Sequence, residues 1–587
     1  MSPPQQPAVP SARRYGLWVI AVVGAATLAV VGLFAWDAWR LLRAEDDLTR
    51  HAAAAREALS ARDADALLAE AAALESSART FAAATSGPHW RVAAHLPWVA
   101  DQAVPLMKAG TAVDAMATGA LSPLAQMGDL SALEAPEFID GRIDPYLLEP
   151  YRETLSEAVA VLASESAALG DVDLVGTLEA VRSPFRELES QLAVVTDLVQ
   201  GAHVAAELLP TMLGGDDERT YLVMVQNNAE PRTTGGIPGA VIELTVDDGR
   251  MTMGGYSAAS AMVVREGVGG LTEDEKRIFT TRMEVYPHDV NFTPEYPRSA
   301  QMMTRFWAAK HAQEVDGVLS VDPVALGWML EGASATQVGP FEITGQNLAE
   351  VMLHESYWEF EEPAEQDAFF ARASALLFGK IASGEGSTLN GVERAIDAGR
   401  FMLWSADGAE QALLETTAVA GAFLERGDAL GIFVNDGSGS KIGWYVDTET
   451  MITDHLCTDG SLAGQTVEVT FTHTYDGDAA LLPEYIGGGD VYVPDGEFHA
   501  NLLVYPAVGT GVIKVTRDGE AAGLNPESHD GRTLGSLRIV LEPGQSTTVT
   551  FDVEANAGGL LPPTVSETPG PKPIVYSRSA EEARDRC

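Results

Sequence analysis

The sequence predicts a multidomain protein: an N-terminal transmembrane helix, an α-helical stalk, an α/β core domain and a C-terminal antiparallel β-sandwich. Three observations predict it. A 22-residue run without charge lies near the N-terminus, an Ala- and Leu-rich stretch of helical spacing follows it, and beyond about residue 216 the pattern turns to mixed strands and helices and then to strands alone.

The run YGLWVIAVVGAATLAVVGLFAW, residues 15–36, reaches about 33 Å as a helix, enough for a hydrocarbon core of roughly 30 Å. It is longer than the apolar region of a cleavable signal peptide and leads into Trp36-Asp37-Ala38-Trp39, so it reads as an uncleaved signal anchor. Arg13 and Arg14 precede it and Arg40 and Arg43 follow it. Flanking charge alone therefore orients it weakly. A short basic tail inside and the acidic bulk outside is the usual solution, which predicts a single-pass cell-membrane protein with residues 1–14 cytoplasmic and the rest extracytoplasmic.

Residues 37–215 carry helical spacing broken at Ser86-Gly87-Pro88, at Leu96-Pro97 and between Pro136 and Pro150, which predicts helical hairpins forming a membrane-proximal stalk. A partner-binding coiled coil is the alternative, but the pattern does not sustain clean heptads. Residues 216–444 alternate strands and helices: YLVMVQ, AVIELTV and MTMGGYS as strands, a helix over 299–311, VDGVLSV as a buried strand, and helices over 323–331, 347–355 and 367–382. From 445 to 576 short alternating runs such as QTVEVTFTHTY and STTVTFDVEA recur between turn residues, predicting the sandwich, with 577–587 as a charged tail.

Lys and Arg number 38 against 84 Asp and Glu, a formal net charge of −46. Nucleic-acid binding is excluded as the main function, because phosphate backbones are held by clustered Lys and Arg. The two cysteines, Cys457 and Cys587, cannot build a disulfide framework or a Cys-based zinc site; one disulfide or two thiols both fit. The 11 histidines include no H-E-x-x-H and no pair at zinc spacing.

The stretch Gln226 to Gly239, QNNAEPRTTGGIPG, gathers amides, a carboxylate, a guanidinium and glycines, and reads as a polar loop between two strands. Such a loop can wrap backbone N–H groups and an Arg fork around a phosphate or a sugar. Equally, the Asn side chains could close turns while Arg232 pairs with Glu230 or another carboxylate. Ser438-Gly439-Ser440-Lys441 has S-x-x-K spacing, but in a Gly-rich turn rather than at a helix N-terminus. The run Glu359, Glu361, Glu362 and Glu365 reads as a solvated face, with calcium binding as the alternative.

The strings YLVMVQNNAEPRTTGGIPG, DVNFTPEYPRSAQMMTRFW, VDGVLSVDPVALGWML and NDGSGSKIGWY resemble a family of membrane-anchored proteins common in actinobacteria and known only as a domain of unknown function. The resemblance covers about residues 90–575. Asn227, Asn228, Glu230, Arg232, Gly235 and Gly236 match its motif, and Pro231 stands where the family pattern has Leu.

A second resemblance, on fewer residues, is to the LytR-CpsA-Psr glycopolymer transferases. It rests on VDGVLSVDPVALGWMLEGA, ITGQNLAEVML and QDAFFARASALLFGKI in that order. It implies a phosphotransferase acting in cell-wall assembly on a polyprenyl-pyrophosphate-linked glycopolymer, with magnesium. The Arg pair that those enzymes carry after the second string is replaced here by His354-Glu355-Ser356.

On this reading the candidate catalytic residues are Arg232, Asp289 and Asp322, the two carboxylates serving magnesium, which favours one or two carboxylates plus phosphate oxygens. Asn227, Asn228, Glu230, Gly235, Gly236, Arg298, Arg305 and Arg372 are the candidate ligand-binding residues. Asp322 before Pro323 also reads as a helix N-cap. Two function classes stay open: an enzyme or degenerate enzyme on a lipid-linked glycopolymer, and a non-catalytic envelope scaffold that binds partners. Convergence of Arg232, Arg298, Arg305 and Arg372 on one cleft would favour the first.

Overall fold

The computed structural model describes residues 12–60, 63–127, 141–427, 429–457, 462–555 and 565–583. Most of the expected cytoplasmic tail, and Cys587 as a partner for Cys457, lie outside them. The chain forms two compact units, Met1–Ser131 with Tyr151–His203, and Ala132–Pro150 with Val204–Cys587.

The first unit is helical. The apolar run 15–36 lies within one helix of 49 residues, Ala12–Ser60. Helices Ala64–Thr85, Ala100–Met116 and Arg152–Gly170 follow, and Glu179–Met212 starts in this unit. Asp63 caps the second helix by accepting from the Ala66 N–H at 2.9 Å. The core uses small side chains, with Ala58, Ala71, Ala78, Ala103, Ala112 and Ala120 buried, so the alanines of the sequence serve close packing as well as helix propensity. The end of the apolar run is packed too. Phe34 meets the rings of His89 and Trp90 edge-on at 4.9 and 5.0 Å, and buried Asp37 accepts from Trp90 Nε1 at 3.2 Å and pairs with His89 at 2.6 Å.

Among the described residues, helix Glu179–Met212 is long and apolar enough to cross a membrane by length and composition. It carries Asp197 and Glu207, and it buries Phe185, Leu192, Val199 and Ala206 at intervals of seven, the stripe of a helix packed along one face.

The second unit contains three larger sheets. In the first, β1 (Arg219–Arg232), β2 (Gly235–Asp247) and β3 (Arg250–Ala258) form an antiparallel meander. β4 (Gly317–Val321) joins β1 in parallel. A small hairpin of β5 (Thr336–Val338) and β6 (Phe341–Ile343) intervenes, and β7 (Phe401–Ser405) completes the order β3-β2-β1-β4-β7. Leu222, Met224 and Val241 pack against Met302, Met303, Phe306 and Trp307 of helix Tyr296–His311.

The other strands are β8 (Leu430–Asp436), β9 (Val446–Leu456), β10 (Leu462–His473), β11 (Phe498–Tyr505), β12 (Thr510–Arg517), β13 (Glu520–Ala521) and β14 (Asn525–His529). β15 (Arg532–Leu541), β16 (Ser546–Ala555), β17 (Val565–Glu567) and β18 (Val575–Glu582) complete the set. They form sheets of order β13-β12-β16-β10-β9-β18 and β14-β15-β11-β8-β17. Alternation fixes the inward faces: Val467, Val469, Phe471, Val549 and Phe551 from one sheet meet Ile432, Phe498, Leu502 and Ile539 from the other.

Three details differ from the sequence reading. β8 pairs with β11, so the sandwich begins at about residue 430 and not at 445. β17 and β18 run parallel to β8 and β9, so the sandwich is not purely antiparallel. Most of the expected charged tail is strand β18; VYSRSAEE lacks the apolar alternation of a buried strand because it is an exposed edge, where charge hinders strand-to-strand aggregation.

Candidate functional site

The first half of β1, Arg219 to Val225, alternates as a half-buried strand should. The second half, Gln226 to Arg232, is polar and yet buried throughout. The sequence predicts a loop over Asn227–Gly239, whereas β1 and β2 continue to a two-residue turn at Thr233-Thr234, with register shifts at Val225/Gln226 and Asn227/Pro231. Polarity misleads here because each polar side chain of the stretch makes at least one hydrogen bond inside the protein.

The glycines are steric requirements. Gly235 has φ +127°, and a β-carbon there would overlap Gln226 Oε1; a β-carbon on Gly236 would overlap the Asn227 carbonyl across the hairpin. The Gln226 side chain accepts from the Gly236 N–H at 2.8 Å and donates to the Ser320 hydroxyl on β4. Asn227 Nδ2 donates to the Tyr357 hydroxyl at 2.8 Å, and its Oδ1 accepts from the Ala229 N–H at 3.1 Å. Asn228 Nδ2 donates to the Pro569 carbonyl at 2.9 Å, tying the hairpin to the segment after β17.

A charge network follows. Arg232, 4% exposed, donates to Glu230 Oε1 at 3.0 Å, to Asp289 Oδ1 at 3.2 Å and to the Asp436 carbonyl at 3.2 Å, with Phe292 beneath the guanidinium at 5.0 Å. Lys441 Nζ donates to Glu230 Oε2 at 2.6 Å, and Arg282 Nε to Asp289 Oδ2 at 2.8 Å. Burial alone would raise the Glu230 carboxyl, but Lys441 and Arg232 together outweigh it and hold it down at about 2. Asp436 is pushed up to about 7, by burial first and then by the charge of Glu230. Burial lowers His288 next to the network.

The turn is fastened to the sandwich. Asn435 Oδ1 accepts from the Thr233 N–H at 2.9 Å, and Thr568 Oγ1 donates to the Thr233 carbonyl at 3.2 Å. Asn291 Nδ2 donates to the Gly236 carbonyl at 2.9 Å. Among the described residues, Arg232 Nε, Thr234 Oγ1, Asn228 Oδ1 and Asn291 Oδ1 are buried without a protein partner, a set of donors and acceptors of the kind that ordered water satisfies.

Seven of the predicted residues therefore meet in one buried cluster: Asn227, Asn228, Glu230, Arg232, Gly235, Gly236 and Asp289. The other four make their contacts elsewhere. Arg298 donates to both oxygens of Glu275, at 2.6 and 2.9 Å, and bonds the Gly270 carbonyl. Arg305 lies exposed beside Gly270, and Arg372 is exposed on helix Pro363–Ala382. Asp322 caps helix Pro323–Met329 through the Ala325 N–H at 2.8 Å and binds Arg400 at 2.6 Å.

The arginines thus form no common anion clamp. Magnesium does not fit the two proposed carboxylates either: both oxygens of Asp289 are held by arginines, and those of Asp322 by Ala325 and Arg400. Among the described residues no group of three or more His, Cys, Asp or Glu is placed to hold a metal ion. Ser438 hydrogen-bonds Asp436 Oδ2 at 2.9 Å while Lys441 is engaged by Glu230, so the S-x-x-K spacing here builds a turn.

Loop chemistry alone misses Asn435, Asp436, Lys441, Tyr357 and Asn291. The signal for three of them is NDGSGSK, charged and amide residues at the end of an apolar strand. No curated protein and no solved structure matches the chain. Residues 216–357, which include the hairpin, Asp289, Asn291 and Tyr357, match the model of a family described as protein of unknown function (DUF4012), so much of the cluster lies within the matched residues.

Proposed function

We propose that this protein is a membrane-anchored, non-catalytic scaffold of the cell envelope, held by the apolar run 15–36 with its N-terminus in the cytoplasm. The observation that carries the reading is the engagement of the Arg232 guanidinium, the Glu230 and Asp289 carboxylates and the Lys441 ammonium with one another inside the protein. A group that must grip an incoming pyrophosphate has to be open to it, and these are closed by their own partners. The cluster instead ties the β3-β2-β1-β4-β7 sheet to the sandwich, the construction expected of a rigid spacer that presents outer surfaces to partners. The strong acidity of the chain fits an outer surface that selects cationic partners.

The test is lipid-extract and native mass spectrometry of the detergent-purified full chain, alongside crosslinking in membranes. The scaffold reading expects protein crosslinks and no retained polyprenyl phosphate. A carrier lipid that co-purifies stoichiometrically would replace it with glycopolymer transfer or carrier binding.

A further inference from the structure

A narrow cleft of about 50 Å³ enters the sandwich between its two sheets. Its walls are apolar side chains of both sheets, Ile432 on β8, Val469 and Phe471 on β10, and Phe498 on β11, with Ile574 on the covering segment after β17. Two carboxyl groups line it, Glu567 and Asp447. Among the described residues the Glu567 carboxyl has one hydrogen-bond partner, the Thr450 hydroxyl on Oε1 at 2.6 Å, which leaves Oε2 for a donor. Burial raises this carboxyl above its ordinary range, as expected of an acid set in apolar surroundings without a cation beside it.

Lys572, from the covering segment, places its ammonium 2.9 Å from Asp447 Oδ1 and 5.8 Å from the Trp444 ring centre, a carboxylate and an aromatic face together. Hydrocarbon walls suit an aliphatic stem, and a carboxyl with an open oxygen suits a strong donor at its end. A neutral sugar would leave most of its hydroxyls unsatisfied against Ile432, Phe471 and Phe498. An anion would meet the Glu567 carboxyl, while the one lysine in the lining, Lys572, is already taken up by Asp447.

We infer that this cleft binds a lysine-type side chain of a partner protein, its methylenes between the two sheets and its ammonium on Glu567 Oε2. The cleft borders the hairpin, with Pro231 and Thr568 also in its wall, but it uses none of the Arg232, Glu230 and Lys441 charges, and the inference stands whether or not the scaffold reading does. The net charge of −46 would steer such a cationic partner toward the chain.

The experiment titrates the full chain with Nα-acetyl-lysine methylamide and with its neutral counterpart, Nα-acetyl-norleucine methylamide, by saturation-transfer NMR and calorimetry. The lysine derivative is expected to bind at least about tenfold more tightly, the size of one charge-assisted hydrogen bond. Glu567→Gln should remove that preference, and affinity should rise with pH as the carboxyl ionises. Equal binding of the two probes, no binding of either, or a preference unchanged in Glu567→Gln would overturn the inference. If Glu567→Gln does not fold, Glu567→Asp, which keeps the charge but withdraws it by one methylene, provides the second variant: a preference weakened there supports the site, and one left intact refutes it.

Discussion

Arg232→Ala is expected to destabilise the second unit by about 3–5 kcal/mol, the cost of leaving buried charge without its partner. Glu230 and Asp289 would each lose a cation at a buried site, while Lys441 and Arg282 could compensate only from one side each. Arg232→Lys should fail as well, because one ammonium cannot reach Glu230, Asp289 and the Asp436 carbonyl with the geometry of a planar fork. The check is thermal and urea unfolding of the full chain, followed by circular dichroism and limited proteolysis. Arg372→Ala, on an exposed helix position, is the control and should stay within about 0.5 kcal/mol of the parent. An Arg232→Ala protein with undiminished stability would mean that the network is dispensable.

Gly236→Ala should be comparably severe although it adds one methyl group. The added carbon would overlap the Asn227 carbonyl on the facing strand, and backbone cannot move aside as a flexible side chain can. Separating the strands would also break the bonds from the Gly236 N–H to Gln226 and from Asn291 to the Gly236 carbonyl. A loss of about 3 kcal/mol or more is expected. Gly255→Ala on β3, where a β-carbon meets open space, supplies the contrast and should be near neutral in the same unfolding measurement.

The helices and most strands were legible because their apolar spacing reports burial directly: the sandwich strands alternate, and the Ala-rich helices repeat with helical spacing. The end of β1 was not, because NNAEPR has the composition of a loop. Its burial depends on Lys441 and Asn435, some two hundred residues away, and on Tyr357 and Asn291 from other elements. Pairing at that distance leaves no local mark.

The candidate residues of the hairpin share one string, NNAEPRTTGG, and Asp289 comes from a second, DVNFTPEYPRSAQMMTRFW, as a carboxylate suited to magnesium. Their role was read from chemistry that suits an exposed loop equally well. Arg298, Arg305 and Arg372 were grouped by charge alone, and charge does not say that Glu275 binds the first or that the other two are exposed on their helices. Asp322 was readable as a cap from the proline behind it, and it is one.

The central claim is that residues 227–236 are a buried fastening and not a loop that opens to ligand. Hydrogen–deuterium exchange on the full chain in detergent tests it most directly. The Thr233 and Gly236 N–H groups, bonded to Asn435 and Gln226, should exchange as slowly as those of Leu222–Val225 earlier in β1, opening only when the unit itself unfolds. Exchange of 227–236 within seconds, while Leu222–Val225 stay protected, would contradict the account and return the motif to the role of a mobile binding loop.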